Sequence, residues 1–325
     1  MTAADAATAA ALTAADTAAG HGERDSDSDS VVFSRLSVRY QAGLTHLMLN
    51  RPHRRNAIDL ELAREILAAT LLERTAASRC VLISGAGDHF CVGGDLKSFL
   101  GQPDLPEHLG AVTGYLHAAM ARLAAMPAPL VVAAQGHVAG AGLGLACLGD
   151  VTVTESGSTF RSAYAAIGLS PDAATSYRLP RLLGLRRAQR MTLAGYVLPA
   201  EEAVDWGLCT ESGPPGSALS RARAIAEQLA QGPTQAYGET NRLLAESSRR
   251  SLAEQLEDES LTLSRVARTP DAAEGIAAFL ARRTPGFTGA ASRPVSDDAA
   301  CRGRPVSLPR PPVSGQEQPM SGQER

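Results

Sequence analysis

Lysine is almost absent from this chain of 325 residues, because Lys97 is the single lysine among 31 basic residues. The basic residues are outnumbered by 34 acidic ones, and the formal net charge is −3. A chain without a basic excess lacks the electrostatic footprint of a protein that binds nucleic acid or an anionic membrane. We therefore expect neither nucleic acid nor a membrane surface as its partner.

Long apolar runs and a basic leader are missing as well. No uncharged apolar stretch reaches the length of about 18 residues that a membrane-spanning helix needs. The first arginine is Arg24, so the Ala-rich start lacks the basic region that opens a signal peptide. Together these absences predict a soluble protein of the cytoplasm.

Cysteines are few, and their spacing is irregular. Their odd number and the lack of any CxxC spacing argue against a disulfide framework and against a zinc site. Four of the five stand in apolar runs, where a buried free thiol is expected. The histidines show no ligand spacing either, so we expect no metal site. The five cysteines are Cys80, Cys91, Cys147, Cys209 and Cys301.

The two ends of the chain differ in composition from its middle. Residues 1–30 are rich in Ala and Thr and end in alternating Asp and Ser, and residues 290–325 repeat Pro, Ser, Gly and Gln. Such segments bury too little apolar surface to offset the entropy of ordering, so both are predicted to be disordered tails. The folded part is then 31–289, with a core over 31–220 and a helical C-terminal region over 221–289.

Strands and helices alternate in the first half of this folded part, and helices dominate the second half. The predicted strands are Val31–Tyr40, Leu44–Asn50, Cys80–Ser84, Leu130–Gln135 and Val151–Thr154. The predicted helices are Leu60–Arg74 with Asp59 as N-cap, Leu109–Met126, Gly184–Leu193, Pro199–Trp206, Ala218–Ala230, Thr234–Ser247, Leu252–Arg268 and Asp271–Arg282. This order predicts an α/β core followed by a helical part.

Two glycine-rich loops follow two of the predicted strands. The first is His89–Lys97 (HFCVGGDLK), and the second is Gly136–Ala146 (GHVAGAGLGLA). Glycine lets a backbone approach a ligand closely, and the first N–H groups of a helix have no partner inside it. One N–H from each loop is therefore expected to reach the same oxygen and form an oxyanion hole. The glycines alone leave close helix packing and a phosphate site open, although the second loop does not match GxGxxG or a P-loop well.

Four stretches, taken in this order, resemble the crotonase (enoyl-CoA hydratase/isomerase) superfamily over about residues 31–289. They are Arg51–Ala57 (RPHRRNA), Gly93–Leu96 (GGDL), Gln135–Asp150 (QGHVAGAGLGLACLGD), and Gly168–Asp172 (GLSPD) with Leu179–Gly184 (LPRLLG). The resemblance implies an α/β fold, a ClpP/crotonase-like spiral of ββα repeats with a helical C-terminal trimerisation region, and a homotrimer or homohexamer. It also implies that the backbone N–H groups of Gly94 and Ala141 are the oxyanion donors.

The resemblance points to one carboxylate as the acid/base. The two positions at which hydratases of this superfamily carry glutamate hold Gly144 and Tyr164 here, so the two-glutamate addition of water is not expected. Asp172 lies where related isomerases have a single acidic residue that moves a proton from C2 to C4 of an enoyl thioester. From its position alone, Asp172 is equally well explained as the N-cap of a helix over 173–178.

A second resemblance, to 4-chlorobenzoyl-CoA dehalogenase, gives the aspartate another role. There the aspartate attacks an aryl ring and a histidine activates water, and His117 stands where that histidine is expected. The sequence departs from this relative at Tyr164, where the dehalogenase has a tryptophan that helps to position the aspartate. It also departs at Gly94, where the dehalogenase has an aromatic residue. His117 is otherwise explained as a partly buried helix residue.

The remaining site residues follow from the same resemblance. Arg54, Asn56, Ala57 and Gly93 are expected beside the nucleotide or the pantetheine arm of CoA, and Arg282 in the last helix is expected to reach the nucleotide. Ser162, Tyr164 and Val92 are expected to line the acyl pocket. For any one arginine, a solvated surface charge is the simpler explanation.

The function expected from the sequence is therefore a double-bond shift in an enoyl-CoA, with Asp172 as acid/base and no cofactor beyond the CoA of the substrate. The alternatives are enoyl-CoA hydration, dehalogenase-like hydrolysis that uses His117, and acyl-CoA binding without catalysis.

Overall fold

The computed structural model describes residues 30–291, and the predicted tails lie outside this range apart from their innermost residues. Ten strands are present in this part of the chain. They are β1 Ser30–Val32, β2 Leu36–Gln41, β3 Leu44–Leu49, β4 Cys80–Gly85, β5 Leu130–Ala133, β6 His137–Ala139, β7 Val151–Glu155, β8 Thr159–Arg161, β9 Leu198–Pro199 and β10 Glu211–Gly213. Twelve α-helices accompany them: α1 Leu60–Leu71, α2 Glu73–Ala76, α3 Leu96–Phe99, α4 Leu105–Ala125, α5 Ala141–Leu148, α6 Thr175–Leu183, α7 Leu185–Thr192, α8 Ala200–Asp205, α9 Ala218–Ala230, α10 Thr234–Glu246, α11 Leu252–Val266 and α12 Pro270–Ala281.

The strands form two sheets. The larger has the order β1-β2-β3-β4-β5-β7-β10, and the smaller has the order β6-β8-β9. β1, β2 and β3 are paired antiparallel, whereas β3, β4, β5, β7 and β10 run parallel to their neighbours. Parallel neighbours end at the same edge, so the loops that follow β4 and β5 emerge side by side.

Both faces of the larger sheet are buried by helices. Val81 and Ile83 of β4 join the main apolar core, in which residues of α1 and α4 also lie. Cys80 and Leu82, which alternate with them, pack in a second cluster with the small residues of α9. This alternation within an entirely buried strand is what a parallel sheet covered on both faces requires. The mixed α/β architecture predicted from the sequence is confirmed.

The predicted strand Val31–Tyr40 is interrupted, and the prediction of one strand there was wrong. The carboxylate of buried Glu65 accepts hydrogen bonds from the backbone N–H groups of Ser34 at 3.0 Å and Arg35 at 2.9 Å. Since these amides donate to a side chain of α1, they are not available for hydrogen bonds to a neighbouring strand. The chain therefore breaks between β1 and β2.

Helix starts follow the capping residues. The carboxylate of Asp59 accepts from the N–H of Leu62, as expected for the N-cap of α1. Helix α4 begins four residues before the predicted Leu109, because Asp104 caps it and a proline occupies its first turn. The six helices predicted from Gly184 to Arg282 are all present with small shifts of their ends. The short strands of the smaller sheet were not predicted.

The four described cysteines are buried and free, as predicted, and Cys301 lies outside the described residues. Within residues 30–291 no helix is long and apolar enough to cross a membrane.

His46 of β3 is a buried histidine that the fold keeps neutral. Its Nε2 lies 2.7 Å from Ser84 Oγ, and its Nδ1 lies 3.0 Å from the guanidinium of Arg223. Because a guanidinium can only donate, Nδ1 is the acceptor and Nε2 carries the proton. Burial, followed by the charges of Arg223 and Arg39, lowers the pKa of His46 from 6.5 to about 4.

We predict that His46 makes the fold sensitive to acid between pH 6.5 and about pH 4. The unfolded chain takes up this proton near pH 6.5 and the folded chain does so only near pH 4, so stability falls as the pH drops through this window. The expected loss is about 3 kcal/mol, measured by urea unfolding at pH 7 and pH 4. His46→Gln is expected to flatten this dependence, and the exposed His53→Gln is the matched control. Equal pH dependence in wild type and His46→Gln would contradict the assignment.

Candidate functional site

The two glycine-rich loops lie directly against each other. The N–H of Ala139 donates to the carbonyl of Cys91 at 3.0 Å, which joins the second loop to the first. At Gly93, where φ is +96°, a Cβ would lie 3.0 Å from the carbonyl oxygen of Ala139 and 3.4 Å from the amide nitrogen of Ala141. A side chain at this position would therefore be both strained and crowded, and glycine allows the close approach.

Two backbone N–H groups at this junction are unpaired. Within residues 30–291, the amides of Gly94 and Ala141 have no hydrogen-bond acceptor. Ala141 is the first residue of α5, and the positive φ of the turn falls on Gly140 before it. This is why alanine is accommodated at position 141. The two residues predicted as oxyanion donors thus stand on adjoining loops with their N–H groups available.

Asp172 lies beside the second loop through its contact with Tyr164. The buried phenol of Tyr164 donates a hydrogen bond to Oδ1 of Asp172. The Cζ atom of Tyr164 also lies 4.0 Å from the position that a Cβ would take at Gly140, one residue before the amide of Ala141. Burial raises the pKa of Tyr164 well above its usual range, and the negative charge of Asp172 raises it further. Tyr164 is therefore a neutral phenol that donates to the carboxylate of Asp172.

The alternative of Asp172 as a helix N-cap is wrong. Helix α6 begins at Thr175, and its N-cap residue is Ala174, which forms no side-chain capping bond. Ala173 and Ala174 both adopt left-handed backbone conformations, with φ of 47° and 57°. This turn separates Asp172 from the helix, so Asp172 does not occupy the N-cap position.

Gly144 in α5 provides the space for this turn. A Cβ at Gly144 would lie less than 3.0 Å from the carbonyl oxygen and from the Cβ of Ala173. A Cβ atom does not approach other heavy atoms that closely, so even an alanine at 144 would push the turn away. The glycine in place of a hydratase glutamate and the turn that carries Asp172 are thus parts of one packing arrangement.

His117 reaches the same turn from α4. Its Nε2 lies 3.0 Å from the backbone N of Ala173 and accepts the hydrogen bond from that amide. The predicted catalytic residues Asp172 and His117 are therefore brought together, although His117 contacts the backbone next to Asp172. The expectation of a partly buried helix residue is wrong for His117, since its side chain is exposed.

The predicted acyl-pocket residues surround the junction of the two loops. Ser162 is 1% exposed, and within residues 30–291 its hydroxyl has no hydrogen-bond partner. Its carbonyl oxygen lies 4.0 Å from the position of a Cβ at Gly140. Val92 is half-buried in the first loop, where its N–H lies 3.3 Å from the carbonyl of Arg55. Whether these residues contact an acyl group stays a prediction.

A buried arginine holds the first loop in place, and sequence reasoning missed its role. Arg51 is 8% exposed, and its guanidinium lies 2.9 Å from the carboxylates of both Asp59 and Asp95. It also donates to the carbonyl of Ala57. A buried charge must be paired, and the two aspartates near buried segments, Asp59 and Asp95, were the signal available for a cation between them.

The residues predicted to contact CoA differ in their burial and in whether their polar atoms already have hydrogen-bond partners. The side chain of Asn56 is fully buried: it accepts from the N–H of Arg51 at 2.8 Å and donates to the carbonyls of Ala86 and His89. Ala57 is also buried, whereas Arg54 is exposed in a 3₁₀ turn. Arg282 is exposed at the end of α12. The roles of all of these residues, and of Gly93, in holding CoA stay predictions.

Within the described part of the chain, no group of three or more His, Cys, Asp or Glu side chains is placed to hold a metal ion.

Comparison with known proteins identifies the family. The sequence profile of the family described as Enoyl-CoA hydratase/isomerase matches residues 39–290. The chain is 34% identical to 1,2-epoxyphenylacetyl-CoA isomerase of Escherichia coli (strain K12) over 252 residues, which are 77% of this chain and 96% of that protein. It is 30% identical to 4-chlorobenzoyl coenzyme A dehalogenase-2 of an Arthrobacter species over 272 residues, which are 83% of this chain and 97% of that protein.

The fold comparison agrees with the sequence comparison. An enoyl-CoA hydratase from Polaromonas sp. JS666 matches with a TM-score of 0.73 and 32% identity, over 78% of this chain and 99% of that one. The profile, the relatives and the fold therefore all lead to one conclusion: the chain belongs to the enoyl-CoA hydratase/isomerase family of the crotonase superfamily, whose members process acyl-CoA thioesters.

Proposed function

We propose that this enzyme moves the double bond of a 3-enoyl-CoA into conjugation with the thioester, with Asp172 as the acid/base. The observation that carries the proposal is that the carboxylate of Asp172 lies next to the loop bearing the amide of Ala141, through its hydrogen bond with Tyr164. The two positions at which hydratases carry glutamate hold Gly144 and Tyr164. One carboxylate suffices for a proton shuttle, whereas the two-glutamate addition of water needs a second.

The proposed reaction moves one proton and returns it. Asp172 takes a proton from C2, so that the C2–H bond breaks, an O–H bond forms and the electron pair moves onto the thioester oxygen. The N–H groups of Gly94 and Ala141 stabilise this dienolate, which carries its charge on the oxygen. Asp172 then gives the proton to C4, the C=O bond re-forms and the double bond lies between C2 and C3. These transfers need no metal or redox cofactor.

Enoyl-CoA hydration is the first alternative, and Gly144 bears on it directly. A glutamate at this position would place its Cβ less than 3.0 Å from the carbonyl oxygen of Ala173. The site would have to move the turn of Asp172 to accept such a residue. Hydration by this enzyme would therefore depend on Asp172 alone.

Dehalogenase-like hydrolysis is the second alternative, and it is favoured by the position of His117 beside Asp172. In that chemistry the aspartate forms an ester with the aryl ring and a histidine activates the water that hydrolyses it. The Nε2 lone pair of His117 is already used by the amide of Ala173. We therefore rank this function below isomerisation.

We propose that the CoA moiety lies along the loop that contains Arg54, Asn56 and Ala57, with Gly93 beside the pantetheine. This placement is supported by the exposure of Arg54, whose guanidinium is suited to phosphate oxygens. Arg282 at the end of α12 is proposed to reach the nucleotide.

We also propose that the enzyme is a homotrimer or a homohexamer. Helices α11 and α12 expose large apolar side chains along one stripe each, such as Leu252 and Leu263 on α11 and Ile276 and Phe279 on α12, the last of which is 82% exposed. Extended apolar stripes of this kind are typical of surfaces that pack against another chain.

Asp172→Asn is expected to abolish isomerisation while leaving acyl-CoA binding intact. Losing a general acid/base typically lowers the rate by about 10²–10⁴-fold, and asparagine keeps the size of the side chain. Formation of the conjugated product is followed by its ultraviolet absorbance, and binding is followed by calorimetry with the saturated thioester. Turnover that survives in the variant would refute the assigned base. Binding without turnover in the wild type would support a non-catalytic acyl-CoA protein.

Gly144→Ala is expected to impair the same reaction through packing alone. The added Cβ displaces the turn of Ala173, so that Asp172 leaves its place beside the second loop and the rate falls, while stability decreases by about 1–3 kcal/mol. The matched control is Gly114→Ala in α4, where an added Cβ meets nothing within 4 Å. A Gly144→Ala enzyme with the rate and stability of the wild type would show that the contact does not matter.

Phe279→Glu combined with Leu263→Glu is expected to break the assembly. A charge on each apolar stripe would have to be buried without a partner in the interface. Light scattering should give three or six times the chain mass of 33.8 kDa for the wild type and a smaller species for the variant. Leu193→Glu, at a residue that is 76% exposed outside these helices, serves as control. A monomeric wild type would rule out the proposed assembly.

A further inference from the structure

We propose that His117 and Tyr164 are positioning residues that hold Asp172 from two sides, and that His117 removes no proton from substrate or water. This inference rests on the proposed function and assigns roles within the same site. It assigns these two residues roles other than those expected from the sequence, which were catalysis for His117 and lining of the acyl pocket for Tyr164.

The segment that carries Asp172 needs support. Ala173 and Ala174 follow it with φ of 47° and 57°, and two successive left-handed residues other than glycine are unfavourable in an isolated chain. Such a conformation persists where the surroundings determine it. Gly144 leaves space for the turn. Space permits the left-handed conformation, but it does not stabilise that conformation relative to an unstrained one.

His117 supplies the contact that selects it. Its Nε2 accepts the N–H of Ala173 at 3.0 Å, so this nitrogen carries no proton and the neutral ring has its proton on Nδ1. The amide belongs to the residue directly after Asp172, and fixing it fixes the direction in which the aspartate side chain leaves the backbone. A histidine whose Nε2 lone pair is held in this way cannot use that nitrogen as a base unless the turn opens.

Tyr164 acts on the carboxylate itself. Its phenol donates to Oδ1 of Asp172. Because this hydrogen bond occupies Oδ1, Oδ2 is left as the oxygen that receives the proton. Within residues 30–291, the side chains of other elements that hydrogen-bond to this turn are thus one phenol that donates and one imidazole that accepts.

The consequence for the reaction is that a single oxygen of Asp172 serves both half-reactions. The proton taken from C2 resides on Oδ2 and is delivered to C4 from the same atom. Tyr164 and His117 keep this oxygen beside the loop of Ala141 without exchanging protons themselves.

The test for His117 compares two variants of the same residue. His117→Ala removes the acceptor and is expected to lower kcat of isomerisation about tenfold with little change in KM. His117→Gln places a carbonyl oxygen where Nε2 lies, and it is expected to restore most of the lost rate. A glutamine variant as slow as the alanine variant would overturn the proposal, because a base cannot be replaced by an amide but an acceptor can.

The test for Tyr164 separates an effect on kcat from an effect on KM. Tyr164→Phe removes the donor but keeps the ring, so kcat of isomerisation is expected to fall about tenfold with little change in KM, because the carboxylate of Asp172 is no longer held. Tyr40→Phe is the matched control, since Tyr40 is also a buried phenol and its hydroxyl lies 3.0 Å from Thr75 Oγ1, away from this site. A Tyr164→Phe enzyme with the kcat of the wild type, or one in which only KM changes, would overturn the proposal. A wild-type enzyme without isomerase activity would instead refute the proposed function.

Discussion

The site depends on one close contact, between Gly144 of α5 and the carbonyl of Ala173. No side chain fits at 144 while this carbonyl is in place, and the carbonyl belongs to the left-handed turn that follows Asp172. Since α5 also presents the unpaired amide of Ala141 at its first turn, one helix sets both the place of the oxyanion donor and the place of the aspartate. A change in that packing would move the two groups relative to each other.

The rest of the fold serves this arrangement by fixing the two loops. Adjacent parallel strands β4 and β5 end at one edge, which delivers the loops side by side. Arg51 then pairs with Asp59 and Asp95, and the buried carboxamide of Asn56 joins the backbone of Arg51 to that of His89 at the start of the first loop. Buried charges and amides of this kind are unfavourable without partners, so the network has one well-satisfied geometry and holds the amide of Gly94 within it.

Much of this organisation could be predicted from the sequence, because the signals were local or strongly patterned. The buried strands Cys80–Gly85 and Leu130–Ala133, the cap at Asp59 and the helix Ala218–Ala230 follow from apolar runs, capping chemistry and period. The features that could not be predicted from the sequence depend on tertiary contacts. Glu65 breaks the first strand from 30 residues away, the strands of the smaller sheet are too short to show a period, and the ion pairs of Arg51 join distant positions. Likewise, the sequence placed His117 at the site but could not show that its Nε2 accepts from a backbone amide.

The most direct test of the central claim, a proton shuttle through one carboxylate, is to follow the hydrogen itself. A 3-enoyl-CoA that carries deuterium at C2 would be converted in ordinary water and stopped at partial conversion, and the position of the deuterium would be read by NMR and mass spectrometry. The account predicts a conjugated 2-enoyl-CoA in which part of the deuterium from C2 appears at C4, because Asp172 carries it between the two carbons. A 3-hydroxyacyl-CoA as the product, or no conjugated product from an enzyme that binds the thioester, would contradict it.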